Sequence, residues 1–279
     1  MKKNVLFLTL LFALFCFNGF SQEGKLKNAK ESLKSENTSG NNGTKSAKKS
    51  NSSSVNTDDN FENPFARILW GIAAYTVYGA VFESPWEKKG RMHSAEISNY
   101  PYKERNYGNF IYTDSTNYNI ARFDVYNHFF VESSNLYGND IGVDFRFLKR
   151  FAVDVNYTTF LEKVNGDNDS FHMFSALLKY HRIRIQRFDA WFGLGFRSVF
   201  NDVNETRFLL GFGGELFVAK PISLTASHKW STINEQSVRN TKLLLKYHIN
   251  NYRIITGYEQ YTLGVSKISA FSFGVEASF

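Results

Sequence analysis

The chain has 279 residues, of which 17% are aromatic, and it carries a formal net charge of +7 and a single cysteine. One cysteine excludes a disulfide framework and a cysteine-rich zinc site. A negative mean hydropathy, with one long apolar stretch after residue 21, excludes a protein that spans a membrane by several helices. Much of the positive charge lies before residue 61, so the net charge does not predict a nucleic-acid partner.

Residues 1–21 have the layout of a secretory signal peptide. Two lysines precede an apolar run from Val5 to Phe17, and a small residue, Ser21, follows it. The run is shorter than the roughly 20 apolar residues that a membrane-spanning helix needs. We expect cleavage after Ser21 and export from the cytoplasm. Cys16 would leave with the signal peptide.

Two segments follow the signal peptide. Residues 22–60 are rich in Ser, Asn and Lys and contain no aromatic side chain, which predicts a disordered linker. Residues 61–118 are predicted as a periplasmic segment, in which Asn63 and Pro64 begin a short apolar helix over 63–82. Alternatively, that stretch lies in the barrel mouth or adds two strands, which would make a barrel of twelve.

Residues 119–279 alternate apolar and polar side chains in ten runs. The runs are 119–132, 139–148, 151–162, 171–182, 189–199, 207–218, 222–231, 240–249, 252–261 and 269–279. The breaks between them are alternately longer and shorter, which predicts long loops, such as 163–170 and 232–240, at one end. This asymmetry is typical of a transmembrane antiparallel up-and-down β-barrel. The predicted fold class is therefore all-β.

The charged residues separate from the apolar ones in these runs. The more apolar parity of each run is almost free of Asp, Glu, Lys and Arg, whereas the other parity carries acidic and basic residues in similar numbers. In a small closed barrel the charged side faces a confined lumen, where mutual pairing relieves the cost of burial. The predicted lumen charges are Arg122, Asp124, Asp144, Arg146, Asp154, Lys179, Arg197, Glu215, Lys242, Lys246, Arg253, Glu259 and Glu276. A secreted soluble β-sandwich, with this face in water, is the alternative.

The chain ends on an aromatic residue, Phe279, and Phe271, Phe273 and Val275 share its parity. Together with the ten runs, this ending resembles small outer-membrane β-barrel proteins of Gram-negative bacteria, over residues 119–279. The resemblance implies an outer-membrane location, lipid against the apolar face and an assembly signal at these four positions. The barrel-assembly machinery would read that signal.

Some barrels of this class are lipid hydrolases with a Ser and His pair and a supporting acid or amide. The segment SHKWSTINEQ holds the one local candidate, His228, Ser231 and Glu235. His228 and Ser231 have opposite parity, which favours a histidine at the lipid boundary over a triad.

Metal and cofactor sites are not expected from the remaining motifs. His128, His172 and His181 are predicted to point inward, but they lack the spacing of metal ligands. No glycine-rich loop lies between a strand and a helix. We therefore predict no cofactor and no metal.

These patterns favour a non-enzymatic outer-membrane barrel with a structural, surface-presenting or scaffolding role and an unknown partner. The first alternative is a lipid-modifying enzyme, an acyl hydrolase acting on lipid A or phospholipid near His228. The second is a narrow channel. A wide pore is excluded, because ten strands enclose little more space than the eight-stranded barrels that side chains fill.

Overall fold

The structure is a computed structural model, and it describes residues 24–34, 95–103, 107–112, 119–164 and 166–279. The predicted signal peptide, most of the predicted linker and the predicted helix over 63–82 lie outside the described residues.

Ten antiparallel strands form a closed barrel, in which each strand pairs with its neighbours in sequence and the last pairs with the first. They are β3 Ala121–Val131, β4 Leu136–Phe147, β5 Phe151–Val164, β6 Asp167–Ile185, β7 Phe188–Phe200, β8 Glu205–Ala219, β9 Ile222–Ile233, β10 Gln236–Ile249, β11 Tyr252–Leu263 and β12 Ser266–Ser278. Phe279 closes the seam, because its N–H donates to Phe123 O at 2.8 Å and its carbonyl accepts from Phe123 N at 3.0 Å. The predicted all-β barrel of ten strands is confirmed.

The predicted long loops are wrong, since every connection in the barrel is two to four residues long. β5 continues to Val164 and β6 begins at Asp167, and β9 and β10 continue to a turn at Asn234 and Glu235. Both turn residues have positive φ, as a two-residue type I′ hairpin requires. The strands extend past the apolar runs because polar outward side chains also suit a solvated strand.

The two ends of the barrel are distinguishable by what covers them. We call the end with the β3–β4, β5–β6, β7–β8, β9–β10 and β11–β12 turns the helix end. The opposite end holds the other turns together with the first and last residues of the barrel. We call it the hairpin end.

A short helix, α1 Lys25–Leu33, lies at the helix end. Its Leu26, Ala29 and Leu33 are fully buried, at the spacing of one helical face. Prediction of disorder is therefore wrong for these nine residues. Among the described residues, no helix is long and apolar enough to cross a membrane.

A two-stranded sheet, β1 Ala95–Ile97 and β2 Phe110–Tyr112, lies within residues 61–118, the predicted periplasmic segment. It stays outside the barrel sheet, so it does not extend the barrel to twelve strands. Tyr102, between these strands, donates its hydroxyl to Ile222 O at 2.6 Å at the hairpin end. Burial raises the pKa of Tyr102 to about 12, which keeps it a hydrogen-bond donor.

Candidate functional site

The barrel interior holds equal numbers of buried acidic and basic side chains. The nine acids are Asp124, Asp140, Asp144, Asp154, Glu162, Asp189, Glu215, Glu259 and Glu276, and the nine bases are Arg122, Arg146, Lys179, Arg184, Arg197, Lys229, Lys242, Lys246 and Arg253. All thirteen predicted lumen charges lie in this set. Strand parity places them there, because successive side chains of a strand point to opposite faces.

Asp124 is the centre of the charge cluster nearest the hairpin end. Its carboxylate accepts hydrogen bonds from Arg122 Nη2 at 2.7 Å and Arg253 Nη2 at 3.0 Å. Arg146 Nε lies 3.6 Å away, and the Ser278 hydroxyl also donates to Asp124. One carboxylate therefore faces three guanidinium groups that are all nearly removed from solvent.

A second cluster lies further along the lumen around Asp154. Its carboxylate accepts from Lys179 Nζ at 2.7 Å and Lys229 Nζ at 2.5 Å. Lys179 also donates to Asp144 at 2.5 Å, and its ammonium lies 4.6 Å from the centre of the Trp191 ring. These lysines are paired and covered, so they do not line an open passage.

Three lumen carboxylates, Asp140, Glu162 and Asp189, were absent from the thirteen predicted lumen charges. Asp140 binds Lys242, and Asp189 accepts from Arg146 Nη1 at 2.7 Å. Asp140 has the same parity as Asp144, so the alternation could have found it. Asp189 shares the parity of the inward Trp191 but stands at the first residues of its run, where strand parity is least certain.

Arg197 is held by neutral groups in the described part of the chain. It donates to Asn240 Oδ1 at 2.8 Å, Val238 O at 3.0 Å and Ser175 Oγ at 3.1 Å. Hydrogen bonds of this kind compensate the burial of its charge without a salt bridge.

The cavity among these charged groups is small. Its volume is about 100 Å³, and its lining includes Asp124, Lys179 and Glu276. A single water needs roughly 10–15 Å³ of such space, so there is room for a few waters. A solute of metabolite size does not fit.

An aromatic layer separates this cavity from the helix end. Phe130, Phe160, Phe171 and Tyr261 are fully buried and form one apolar cluster with α1. The ring centres of Phe160 and Tyr261 are 4.9 Å apart, and those of Phe130 and Phe160 are 5.1 Å apart. The helix thus rests on a packed floor.

The barrel wall binds both ends of α1. Glu162 accepts from the backbone N–H of Lys25 at 3.0 Å and of Leu26 at 2.7 Å. A carboxylate is favourable there, because the first N–H groups of a helix lack partners within the helix and carry partial positive charge. At the other end, Asn234 Nδ2 donates to Leu33 O at 2.8 Å.

Two lysines of α1 pair with further carboxylates of the helix end. Lys25 Nζ lies 2.8 Å from Glu132 Oε1, and Lys30 forms an ion pair with Asp169. Burial alone would lower the pKa of Lys30, but Asp169 and Asp202 outweigh it and raise that pKa. Lys30 therefore stays charged at neutral pH.

Asn109 connects the segment outside the barrel to the lumen charges at the hairpin end. Its Nδ2 donates to Asp189 at 3.0 Å and Glu215 at 3.1 Å, and its Oδ1 accepts from Arg122 at 2.8 Å. Arg122 also donates to Ser98 O at 3.0 Å. Each end of the lumen is thus covered by a segment of the same chain.

The structure does not bring the candidate hydrolase residues together. His228 lies on the outward face of β9, where Thr241 Oγ1 is 2.8 Å from its Nδ1. Ser231 points inward and donates to Val238 O, and Glu235 is exposed in a turn. His228 and Ser231 thus point to opposite faces of the sheet, as their opposite parity predicts.

The histidine nearest the helix end also differs from expectation. His172 was predicted to point inward, but it is outward, where its ring stacks on Tyr157 at 5.8 Å and Nδ1 lies 3.2 Å from Thr159 Oγ1. Strand β6 begins at Asp167, before the predicted run 171–182, and its first outward residues are polar. Within the described ranges, no group of His, Cys, Asp and Glu is arranged to hold a metal ion.

The four residues of the predicted assembly signal lie on one face of the last strand. Phe271, Phe273, Val275 and Phe279 are all exposed on the outside of the barrel. Their recognition by assembly machinery stays a prediction.

A closed antiparallel barrel with an apolar exterior and a charge-paired interior is the architecture of small outer-membrane β-barrel proteins, and this chain has that architecture. No protein-family model matches the sequence, and no curated protein is detectably similar to it. Solved structures do match, and three of them each cover 57% of the chain. They are an outer membrane channel from Pseudomonas putida F1 (7% identity, 95% of that chain, TM-score 0.36), Neisserial surface protein A (13%, 96%, 0.30) and the attachment invasion locus protein Ail of Yersinia pestis (13%, 97%, 0.29).

Proposed function

We propose that the protein is a sealed outer-membrane barrel with a non-enzymatic, structural role, whose wall is a scaffold for two segments of its own chain. The observation that carries this proposal is the closure of both ends of a self-neutralised lumen. α1 covers one end, and the segment containing Asn109 covers the other. Connections of two to four residues offer little surface for adhesive loops, so scaffolding is favoured over surface presentation.

The proposed route to the membrane is export through a cleaved signal peptide, followed by assembly from the C-terminal strand. An even number of strands places both ends of the barrel domain on one side of the membrane. In the class that the chain resembles, the two ends of the barrel domain lie on the periplasmic side, so we assign the hairpin end to the periplasm. Outer-membrane lipid would contact the apolar exterior.

A narrow channel is the second candidate, because α1 is a short segment held mainly by side chains of the wall. Its removal would uncover the aromatic layer formed by Phe130, Phe160, Phe171 and Tyr261. The lipid-hydrolase alternative is not favoured, because His228, Ser231 and Glu235 do not lie together.

We expect no steady conductance when the full chain is inserted into a planar lipid bilayer. A variant without residues 24–34 should also be silent, because the aromatic layer and the paired charges still fill the lumen. Heat-modifiable migration on a gel checks that each variant forms a barrel. Steady conductance of the full chain would contradict the sealed barrel, and conductance of the truncated variant alone would favour a channel with α1 as its plug.

A further inference from the structure

The outward side chains of β9 to β12 change from apolar to basic toward the helix end. Paired residues across these four strands form three successive rows: Ala226, Leu243, Tyr258 and Phe271; then His228, Thr241, Gln260 and Ser269; then Trp230, Arg239, Thr262 and Lys267. The first row is apolar, the second is uncharged and polar, and the third carries two cations. Such a gradient suits the boundary between hydrocarbon and headgroups, which tryptophan and tyrosine also favour.

The charged residues at outward strand positions near the helix end are all basic. Lys163, Arg239 and Lys267 are exposed at outward positions near the helix end. Within the described part of the chain, none of the three has an ion-pair partner. They lie just beyond the apolar runs, and in a membrane barrel the outward apolar band ends at the interface with the headgroups.

Three carboxylates of the same end are engaged on the inner side, whereas Glu235 is exposed in the β9–β10 turn. Glu162 binds the N-terminus of α1, and Glu132 and Asp169 pair with Lys25 and Lys30 of that helix. Docking of α1 thus neutralises inner acids. The outward cations Lys163, Arg239 and Lys267 therefore remain available to an anionic ligand.

Arg239 and Lys267 are close enough to act on one headgroup. Each pairs with Thr262 of β11, so their backbones stand two strand spacings apart, about 10 Å. Both side chains are long and can converge on a phosphate above Thr262. Thr262 and Gln260 add hydroxyl and amide donors between the cations.

A groove for hydrocarbon lies beside this basic row. The outward residues Ala190, Gly214 and Ala226 are side by side on β7, β8 and β9. Gly214 and Ala226 line an apolar groove of about 550 Å³, which also reaches His228. His228 and Trp230 line an adjoining groove of about 400 Å³, and Trp230 pairs with Arg239.

We propose that Arg239 and Lys267 bind the phosphate headgroup of a membrane lipid, one acyl chain of which lies in the groove beside His228. The observations favour a lipid over a soluble anion because the cations adjoin an apolar groove on the exterior of the barrel. This inference rests on the barrel lying in a bilayer, but it does not depend on the lumen being sealed.

Dimyristoyl phosphatidic acid, which has a phosphate monoester and two acyl chains, is a suitable probe. The full chain is purified in detergent, exposed to the probe in mixed micelles, and its bound lipid is counted by native mass spectrometry. We expect retention of one lipid, and about tenfold or more weaker retention by the R239Q/K267Q variant, since each cation near a membrane surface contributes appreciably to anionic lipid binding. Dimyristoyl phosphatidylcholine should be retained poorly.

Lys163→Gln is the matched control, because Lys163 is also an outward unpaired cation of the helix end, but on β5. It should bind like the wild type, and R239K should largely preserve binding. Filling the groove with Ala226→Phe should weaken retention while leaving both cations in place. Equal retention by wild type and R239Q/K267Q, or an equal loss in K163Q, would overturn the proposal. Heat-modifiable migration checks the fold of each variant, and conductance plays no part in the result.

Discussion

Replacing Asp124 with Asn should lower the free energy of unfolding by about 3–5 kcal/mol, the usual cost of removing one partner from a buried ion pair. The substitution keeps the shape of the side chain but leaves Arg122, Arg146 and Arg253 facing one another without their shared carboxylate. Urea unfolding in detergent micelles, followed by tryptophan fluorescence, measures the loss.

Glu235→Gln is the control for this prediction. Glu235 is exposed in the β9–β10 turn, so its neutralisation should change the free energy of unfolding by no more than about 0.5 kcal/mol. If the two variants were equally stable, Asp124 would not be a buried partner of three arginines.

Replacing Leu178 with Arg should destabilise the barrel in lipid by about 2–4 kcal/mol. Leu178 is outward and near the middle of the apolar part of β6, so the guanidinium would enter hydrocarbon. Unfolding of the protein from lipid vesicles measures the difference in free energy.

Thr232→Arg is the matched control, because Thr232 is outward but near the helix end of β9. Close to the lipid boundary the same side chain should cost only about 0–1 kcal/mol. Equal costs at both positions would show that the exterior has no hydrocarbon depth, as expected for a protein that folds in water.

The barrel and its lumen charges could be predicted because a strand has a local period of two. Once Phe145 is assigned to the exterior, Asp144 and Arg146 must point inward, whatever lies elsewhere in the chain. Charge balance inside a closed barrel then follows from the cost of burying an unpaired charge.

The segments that close the barrel could not be predicted from local pattern. α1 is short and largely polar, and its N-terminus is held by Glu162, more than a hundred residues away in sequence. Asn109 likewise finds its partners Asp189 and Glu215 through the fold. The composition of such a segment indicates only a weak helix propensity, whereas the docked helix is stabilised by tertiary contacts.

The strand ends were misjudged for a different reason. Toward the helix end, outward positions such as Thr159, Lys163 and His172 are polar, so the apolar alternation fades before the strands do. A polar exterior there is compatible with strands that continue beyond the hydrocarbon. One of these polar residues, Lys163, is also one of the outward cations near the proposed level of the lipid headgroups.

Spin labelling tests the position of the exterior in lipid most directly. With Cys16 as the sole cysteine, labels can be placed singly at Leu178, at Leu245 and, as an aqueous reference, at Glu235 in a Cys16→Ser background. In lipid vesicles, labels at Leu178 and Leu245 should collide with dissolved oxygen and be shielded from a water-soluble paramagnetic complex, while the label at Glu235 shows the reverse. Collision of the water-soluble complex with the labels at positions 178 and 245, in a protein that remains monomeric without detergent, would contradict a lipid-facing exterior.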